Sequence, residues 1–412
     1  MNHSLWNPCL AALFAVAGTT FTSGQSVLAP PPVEFSEMVP SHTGEAKATT
    51  RAAALRTAPE NDPLFRWGPV QVRPHMNYRF SYGDGVPVGP GEDYDTAIHE
   101  IMPGVLFQLG DRWYLDYTPT VRIYSDDQFN DRTDHSVRFG GGTTYEAWTF
   151  GLSQTYASSS DSLAETASQT ERDSFVTGLS AARQLNSELS LQLGANQSFQ
   201  FTDDYTDART WSTMNWLDYQ FHPDFAAAIG AGFGYTDVNP GYEMTFEQLQ
   251  GRITWQAGEK LGLVFHGGFD FRQFLDIDSP NLANPIYGLS VIYELFEVTT
   301  LSLNGDRSVN ASLYENQLTE SSRIGLGLKQ RLLEKLYLSL NGGFSFTSYI
   351  DLTPDQHVDR EDDGTYFTAR LSTTFVKKAS AAIFYHINNN NSDARDYSTT
   401  SQQVGLELGY SW

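Results

Sequence analysis

The chain has 412 residues, a formal net charge of -23 and 13% aromatic residues, and its 34 glycines sit among abundant Tyr, Phe, Ser, Thr and Asn, a vocabulary of strands and turns. The acidity argues against nucleic acid as a partner, because phosphate binding needs clustered Lys and Arg. No run of about 18 apolar residues follows the N-terminal region, which argues against a helical membrane span, and the single cysteine, Cys9, leaves the rest of the chain without disulfides or thiolate metal sites.

Leu10 to Gly18 form a short apolar core, and the small residues Thr22 and Gly24 follow it as a cleavage site before Gln25. Residues 1–24 therefore read as a secretory signal peptide, although its start carries only the amino terminus and His3 where Lys or Arg is usual. From Gln25 the chain turns rich in Pro, Ala, Thr and Glu, including Pro30-Pro31-Pro32, with no apolar periodicity. Residues 25–63 are expected to be a disordered periplasmic tail.

From Val70 the sequence alternates with period 2, the signature of strands. Val70, Val72, Met76, Tyr78, Phe80 and Tyr82 fall on one face; Gln71, Arg73, His75, Asn77, Arg79 and Ser81 fall on the other. The split recurs at Leu189, Leu191 and Leu193 and again at Leu336, Leu338, Leu340, Phe344 and Phe346. Tight turns are expected at Gly110-Asp111-Arg112, Glu146-Ala147, Asn186-Ser187, Pro223-Asp224, Gly258-Glu259, Phe296-Glu297, Leu333-Glu334 and Lys377-Lys378. Longer polar segments lie between them: Asp126 to Asp134, Ser158 to Glu171, Thr202 to Ala208, Leu275 to Asn284, Asp351 to Asp363 and Asn388 to Tyr397. Strict alternation of tight turn and long loop is the pattern of an antiparallel transmembrane β-barrel with short periplasmic turns and long extracellular loops. Eight turns join sixteen strands, and one more at each end predicts about 18 over residues 64–412. A soluble sandwich or propeller, the competing reading, would need its second face to be apolar.

The closing strand is the most specific piece. Val404, Leu406, Leu408, Tyr410 and Trp412 alternate with Gln403, Gly405, Glu407, Gly409 and Ser411. Tyr410 and Trp412 resemble the terminal aromatic signal that the barrel assembly machinery reads. Phe65-Arg66-Trp67-Gly68-Pro69, Arg73-Pro74-His75, Tyr78-Arg79-Phe80, Leu115 to Pro119, Trp148 to Gln154 and Val404 to Trp412 together resemble the outer-membrane β-barrel porin families of Gram-negative bacteria, whose members are largely uncharacterised and include some found near exopolysaccharide secretion genes. The resemblance covers about residues 64–412. It implies a barrel in the cell outer membrane, among its lipids, and transfers no catalytic residues.

Alternation turns Arg73, Arg79, Asp116, Arg122, Arg138, Asp218, Arg252, Asp270, Arg272, Asp306, Arg370 and Glu407 away from lipid, as candidate lumen-lining residues. Two readings stay open: mixed charge that sets ion preference in a water-filled pore, or cross-strand pairs that fill it. Tyr114, Tyr124, Trp216, Phe246, Tyr366 and Phe384 face the same side, as sugar-stacking platforms or as ordinary packing, whereas Trp113, Tyr117, Trp211, Tyr219, Trp255, Tyr287, Tyr293, Tyr410 and Trp412 read as interfacial girdles. The acidic run Asp351, Asp355, Asp359, Glu361, Asp362 and Asp363 matches no defined calcium loop and reads as solvated charge, with Asn388 to Asn391 and Asp393 as a second polar tip. His75, His266 and His386 form no legible nucleophile-base spacing. No enzyme activity, cofactor or metal is expected.

The leading expectation is a porin-like channel for small hydrophilic solutes. The alternatives are an occluded or structural barrel associated with exopolysaccharide secretion or envelope organisation, with a polysaccharide as partner, and a soluble β-rich binding protein. An inward-folding loop would bear on the first two. Ser158 to Glu171 and Asp84 to Thr96 are long enough, yet neither carries a constriction pattern.

Overall fold

The computed structural model describes residues 25–30, 64–353, 360–376 and 378–412. The signal-peptide reading, most of the tail, and Asp355 and Asp359 of the acidic run lie outside the described residues.

Eighteen long strands follow in order: β1 Val70–Gly89, β2 Glu92–Leu109, β3 Trp113–Tyr124, β4 Arg132–Tyr145, β5 Trp148–Ser159, β6 Arg172–Gln184, β7 Leu189–Thr202, β8 Asp207–His222, β9 Phe225–Asn239, β10 Glu243–Ala257, β11 Leu261–Phe274, β12 Leu282–Phe296, β13 Thr299–Ala311, β14 Gln317–Leu333, β15 Leu336–Asp351, β16 Arg360–Val376, β17 Ala379–Ser392 and β18 Thr399–Ser411. Each pairs antiparallel with its chain neighbour, and β1 pairs with β18, from His75 opposite Ser411 to Asp84 opposite Gln402. The ring is closed, so none of its eighteen strands is left as an edge. A short segment, Phe65–Trp67, folds back on the start of β1 through Gly68, whose φ of 57° only glycine adopts without strain.

All eight predicted tight turns fall between strands at one end of the barrel. At the other end, strand takes in residues read as loop. Asp84 to Thr96 continues β1 and β2 as a hairpin, with register shifts after Gly83 and Pro87 that absorb its irregular spacing. Asp134 belongs to β4, and Asn388 to Ser392 extend β17 along β16, with Asn388 and Asn390 buried toward the lumen. A run of polar residues reads as loop only when the inner face of a sheet is assumed to be apolar. Here it is wet.

The outer face carries the apolar residues. Ile229, Leu326, Leu249 and Ile383 are each more than 60% exposed, and Phe265, Phe344, Leu406 and Leu408 belong to the same band. A water-soluble protein does not display so continuous an apolar surface, and the soluble alternative fails on it. The girdle candidates Tyr117, Trp211, Tyr219, Trp255, Tyr287, Tyr293 and Tyr410 are exposed on this face.

Inside, aromatic rings lie flat on the wall opposite glycines. Phe246 faces Gly234, Trp216 faces Gly230, Tyr114 faces Gly140, Tyr366 faces Gly343 and Phe384 faces Gly405, each as a directly opposed cross-strand pair. A Cβ at Gly234 would sit 2.1 Å from Phe246 Cζ. Guanidinium groups lie over three of the rings, Arg252 over Trp216 at 4.3 Å, Arg79 over Phe384 at 4.5 Å and Arg272 over Phe246 at 5.5 Å. These aromatics are part of the wall, and Tyr124 stacks on Phe129 with ring centroids 4.9 Å apart. Gly234→Ala is expected to destabilise the refolded barrel by about 1–3 kcal/mol through overpacking. Adding Phe246→Leu should recover most of that loss in urea unfolding, because the clash is with one ring; two losses that simply add would refute the pairing.

Candidate functional site: a lumen crossed by an inward loop

Most of the twelve candidate lumen residues meet an opposite charge. Arg79 lies between Glu100 at 3.5 Å and Glu407 at 3.7 Å, and Glu407 also takes Arg370 at 2.6 Å. Arg252 binds Asp218 at 2.7 Å, Arg272 binds Asp270 at 2.9 Å, and His75 Nε2 lies 3.2 Å from Asp116. Arg138 stands directly opposite Asp116 on the next strand, and Asp306 opposite Arg323; both Arg138 and Asp306 are exposed to the lumen. Arg73 donates to Gln71. Buried guanidinium and carboxylate groups of this kind persist only when paired. The cross-strand reading of the lumen charges therefore describes most of these residues, while Arg138, Asn304, Asp306 and Asn341 are exposed.

The segment between β5 and β6 departs from the wall. Its residues Ser160, Ser162, Leu163, Glu165, Thr166, Ala167 and Thr170 are all 3% exposed or less, which a loop in open solvent cannot be. It forms a two-residue hairpin, Ser162–Leu163 against Ser168–Gln169, inside the barrel. Its base is held at β3 and β4: Arg122 binds Asp161 at 2.9 Å and Asp134 at 3.2 Å, and Ser160 Oγ donates to Asp134. Its tip reaches the far side of the ring. Arg360, at the start of β16, donates to the Glu165 carbonyl at 2.7 Å and the Ala164 carbonyl at 3.1 Å while binding Asp362 at 2.6 Å. The Glu165 carboxylate in turn accepts from Ser312 Oγ at 2.7 Å and from the Leu313 N–H at 2.8 Å, in the loop between β13 and β14. Burial pushes the Glu165 carboxyl above the ordinary carboxylate range, against the lowering effect of those donors and of Arg360.

A cavity of about 310 Å³ lies between this constriction and the tight-turn end. Arg79, Lys329, Arg370 and Glu407 line it with Asn341, Thr368, Tyr337 and Phe384. Three cations against one carboxylate favour anions there.

Three tyrosines from three loops cap the other side. Tyr314 meets Tyr205 edge-on at 5.7 Å and Tyr397 at 6.5 Å, and donates its hydroxyl to that of Tyr397. Arg360 lies 3.9 Å from the centre of the Tyr397 ring. Asp362 of the acidic run is thus a buried partner of Arg360, Tyr349 and Asn390, not solvated charge.

None of the three histidines forms a relay. Thr118 Oγ1 and Asp116 both address the same nitrogen of His75, Nε2, whereas a relay uses the two ring nitrogens separately. His266 is paired through Nδ1 with Gln250, and His386 through Nδ1 with Thr368.

Sequence reasoning placed Gln403 on the polar face of the closing strand without giving it a role, and missed Glu100, Asp161, Glu165, Lys329 and Arg360. Strand alternation alone would have placed Glu100 and Lys329 with the polar face of their strands. For Asp161 and Glu165 the one available signal was Leu163, Ala164 and Ala167, small apolar residues inside an otherwise polar loop.

No protein-family model matches the sequence, and no curated protein matches it. The chain is similar in backbone outline to OccAB3 of Acinetobacter baumannii, at 9% identity over 83% of this chain and 99% of that one, with a TM-score of 0.45. OccK11 (OpdR) of Pseudomonas aeruginosa gives 11% identity, 83% and 95% coverage and 0.42, and the siderophore receptor PirA of the same organism 10%, 85% and 81%, and 0.43. These are likenesses of outline, and the function of this lumen is argued from its own residues.

Proposed function

We propose that the chain is an outer-membrane, porin-like channel for small hydrophilic solutes, with its tight turns in the periplasm and its loops outside the cell. One observation carries the reading: a closed ring of eighteen strands that is apolar outside and charged inside. A barrel of this strand number encloses an aqueous interior unless something fills it, and here a loop narrows it part-way. The cavity toward the tight-turn end, with its excess of cations, selects for anions among the solutes that pass.

Single-channel recording of the refolded barrel in a planar bilayer tests this. Stable openings are expected, with a reversal potential under a salt gradient that reports anion preference. Lys329→Glu should move that potential toward cations, because it converts the cavity from three cations and one carboxylate to two of each. Persistent silence from a folded barrel would refute the channel.

A second reading has its own support. The loop tip and the groups around it are as buried as a protein core, which suits a barrel that stays occluded until a partner, such as a polysaccharide export system, displaces the loop. Silence in the wild type together with openings in a loop-release variant would favour it.

A further inference from the structure

The first described residues of the chain do not hang below the barrel. Gln25 to Ala29 lie inside it, with Val27 fully buried, Ala29 6% exposed and Leu28 9% exposed. The segment meets the inward hairpin at a single bridge and then bends at Val27 and Leu28: Ser26 bridges Leu163 antiparallel, the Val27 N–H donates to the Ser162 carbonyl at 2.8 Å, and the Ala164 N–H donates to the Gln25 carbonyl at 2.8 Å. On the other side the wall reads its main chain. The Gln403 amide accepts from the Ala29 N–H at 3.0 Å through Oε1 and donates to the Val27 carbonyl at 3.4 Å through Nε2, and Arg79 donates to the Ala29 carbonyl at 3.1 Å. Leu28 fills an apolar pocket of Val86, Ile98, Tyr124 and Phe129.

We infer that the inward loop and the wall at Gln403 form a cradle for a short peptide, occupied by the chain's own residues 25–29 as a displaceable plug. Two features support an exchangeable occupant. Recognition is largely through the peptide main chain, the mode by which sheet edges accept strands from elsewhere, with Leu28 in its apolar pocket, Val27 fully buried and the Gln25 amide oxygen accepting from Ser345 Oγ at 3.5 Å. Pro30 is exposed and borders the cavity toward the tight-turn end. Ala29 and Pro30 therefore lie on that side of the cradle, away from the tyrosine cap. The occupant class is a short peptide with aliphatic side chains.

The test uses the full chain lacking only residues 25–30, and a synthetic peptide acetyl-Gln-Ser-Val-Leu-Ala-Pro with a dye at its C-terminal end. Fluorescence anisotropy in detergent should show the peptide binding the deletion variant but not the wild type, whose cradle is filled. A scrambled peptide should not bind, and Gln403→Ala in the deletion background should weaken binding about tenfold. In a planar bilayer the deletion variant should conduct severalfold more than wild type, and the peptide should return it to the wild-type level. The conductance arm rests on the channel reading and the anisotropy arm does not, so a silent barrel that still binds peptide leaves the cradle standing. A deletion variant that shows heat-modifiable migration yet binds no peptide overturns the inference. If the deletion prevents folding, Ser26→Cys with Leu163→Cys in a Cys9→Ser background replaces it. Reduction of that pair should then bring excursions to higher conductance that oxidation abolishes, and identical traces would overturn the inference.

Discussion

Arg360→Ala is expected to free the tip of the inward loop and raise channel conductance more than any other single substitution in the lumen. One guanidinium holds two backbone carbonyls of the loop, Ala164 and Glu165, pairs with Asp362, and packs on the rings of Tyr349 and Tyr397. Arg360 and Asp362 are each no more than 5% exposed, so removing the arginine leaves a buried carboxylate without its counter-charge. Breaking one partner of such a pair costs about 3–5 kcal/mol. The barrel itself is held by its ladder of backbone hydrogen bonds, so the loss should be taken up locally by release of the loop, not by unfolding of the ring. Limited proteolysis of the refolded variant should show new cleavage between Ser160 and Thr170, with larger single-channel currents. Arg360→Lys should not restore the wild type, because one ammonium cannot reproduce the fork that spans the two carbonyls and Asp362. A variant with wild-type currents and an uncut loop would show that the tip is held elsewhere.

The second expectation is that lowering the pH tightens the closed arrangement through Glu165. Its carboxyl is buried in the docked loop, and burial raises its pKa above the ordinary carboxylate value. The docked state therefore binds a proton more readily than the released one. Docking is strongest below the ordinary carboxylate pKa and weakens as pH rises through the window between that value and the raised one, above which it levels off. The groups that face Glu165 are Arg360, Asp362, Arg172 and Tyr349. Conductance should accordingly rise with pH across that window. Glu165→Gln keeps an oxygen to accept from Ser312 and Leu313 but cannot ionise, so it should hold the loop docked and flatten the pH profile. A profile unchanged by Glu165→Gln would assign the dependence to another group.

Much of the barrel was legible because strand physics is local. Period-2 alternation at Val70 to Tyr82, the eight tight turns and the closing Val404 to Trp412 are patterns within one or two strands, and each fell where expected. Errors gathered at the loop end. Asn388 to Ser392 and the region around Asp362 were taken for solvent-facing tips because they are polar, yet Asn390 donates to Asp362 inside the ring. In a barrel, polarity marks the lumen as readily as it marks a loop, and short-range sequence does not distinguish the two.

By itself the sequence determined the all-β class, the strand count and the closure of the last strand on the first. Each follows from alternation and turn spacing, which act between near neighbours. Only the tertiary structure decided which lumen charges pair, that Ser160 to Thr170 turn inward, and that Gln25 to Ala29 lie across them. Those choices depend on Arg360, Gln403 and Arg79 meeting groups hundreds of residues or nearly a full turn of the ring away, and contacts made by closing a cylinder leave no periodic trace in the chain.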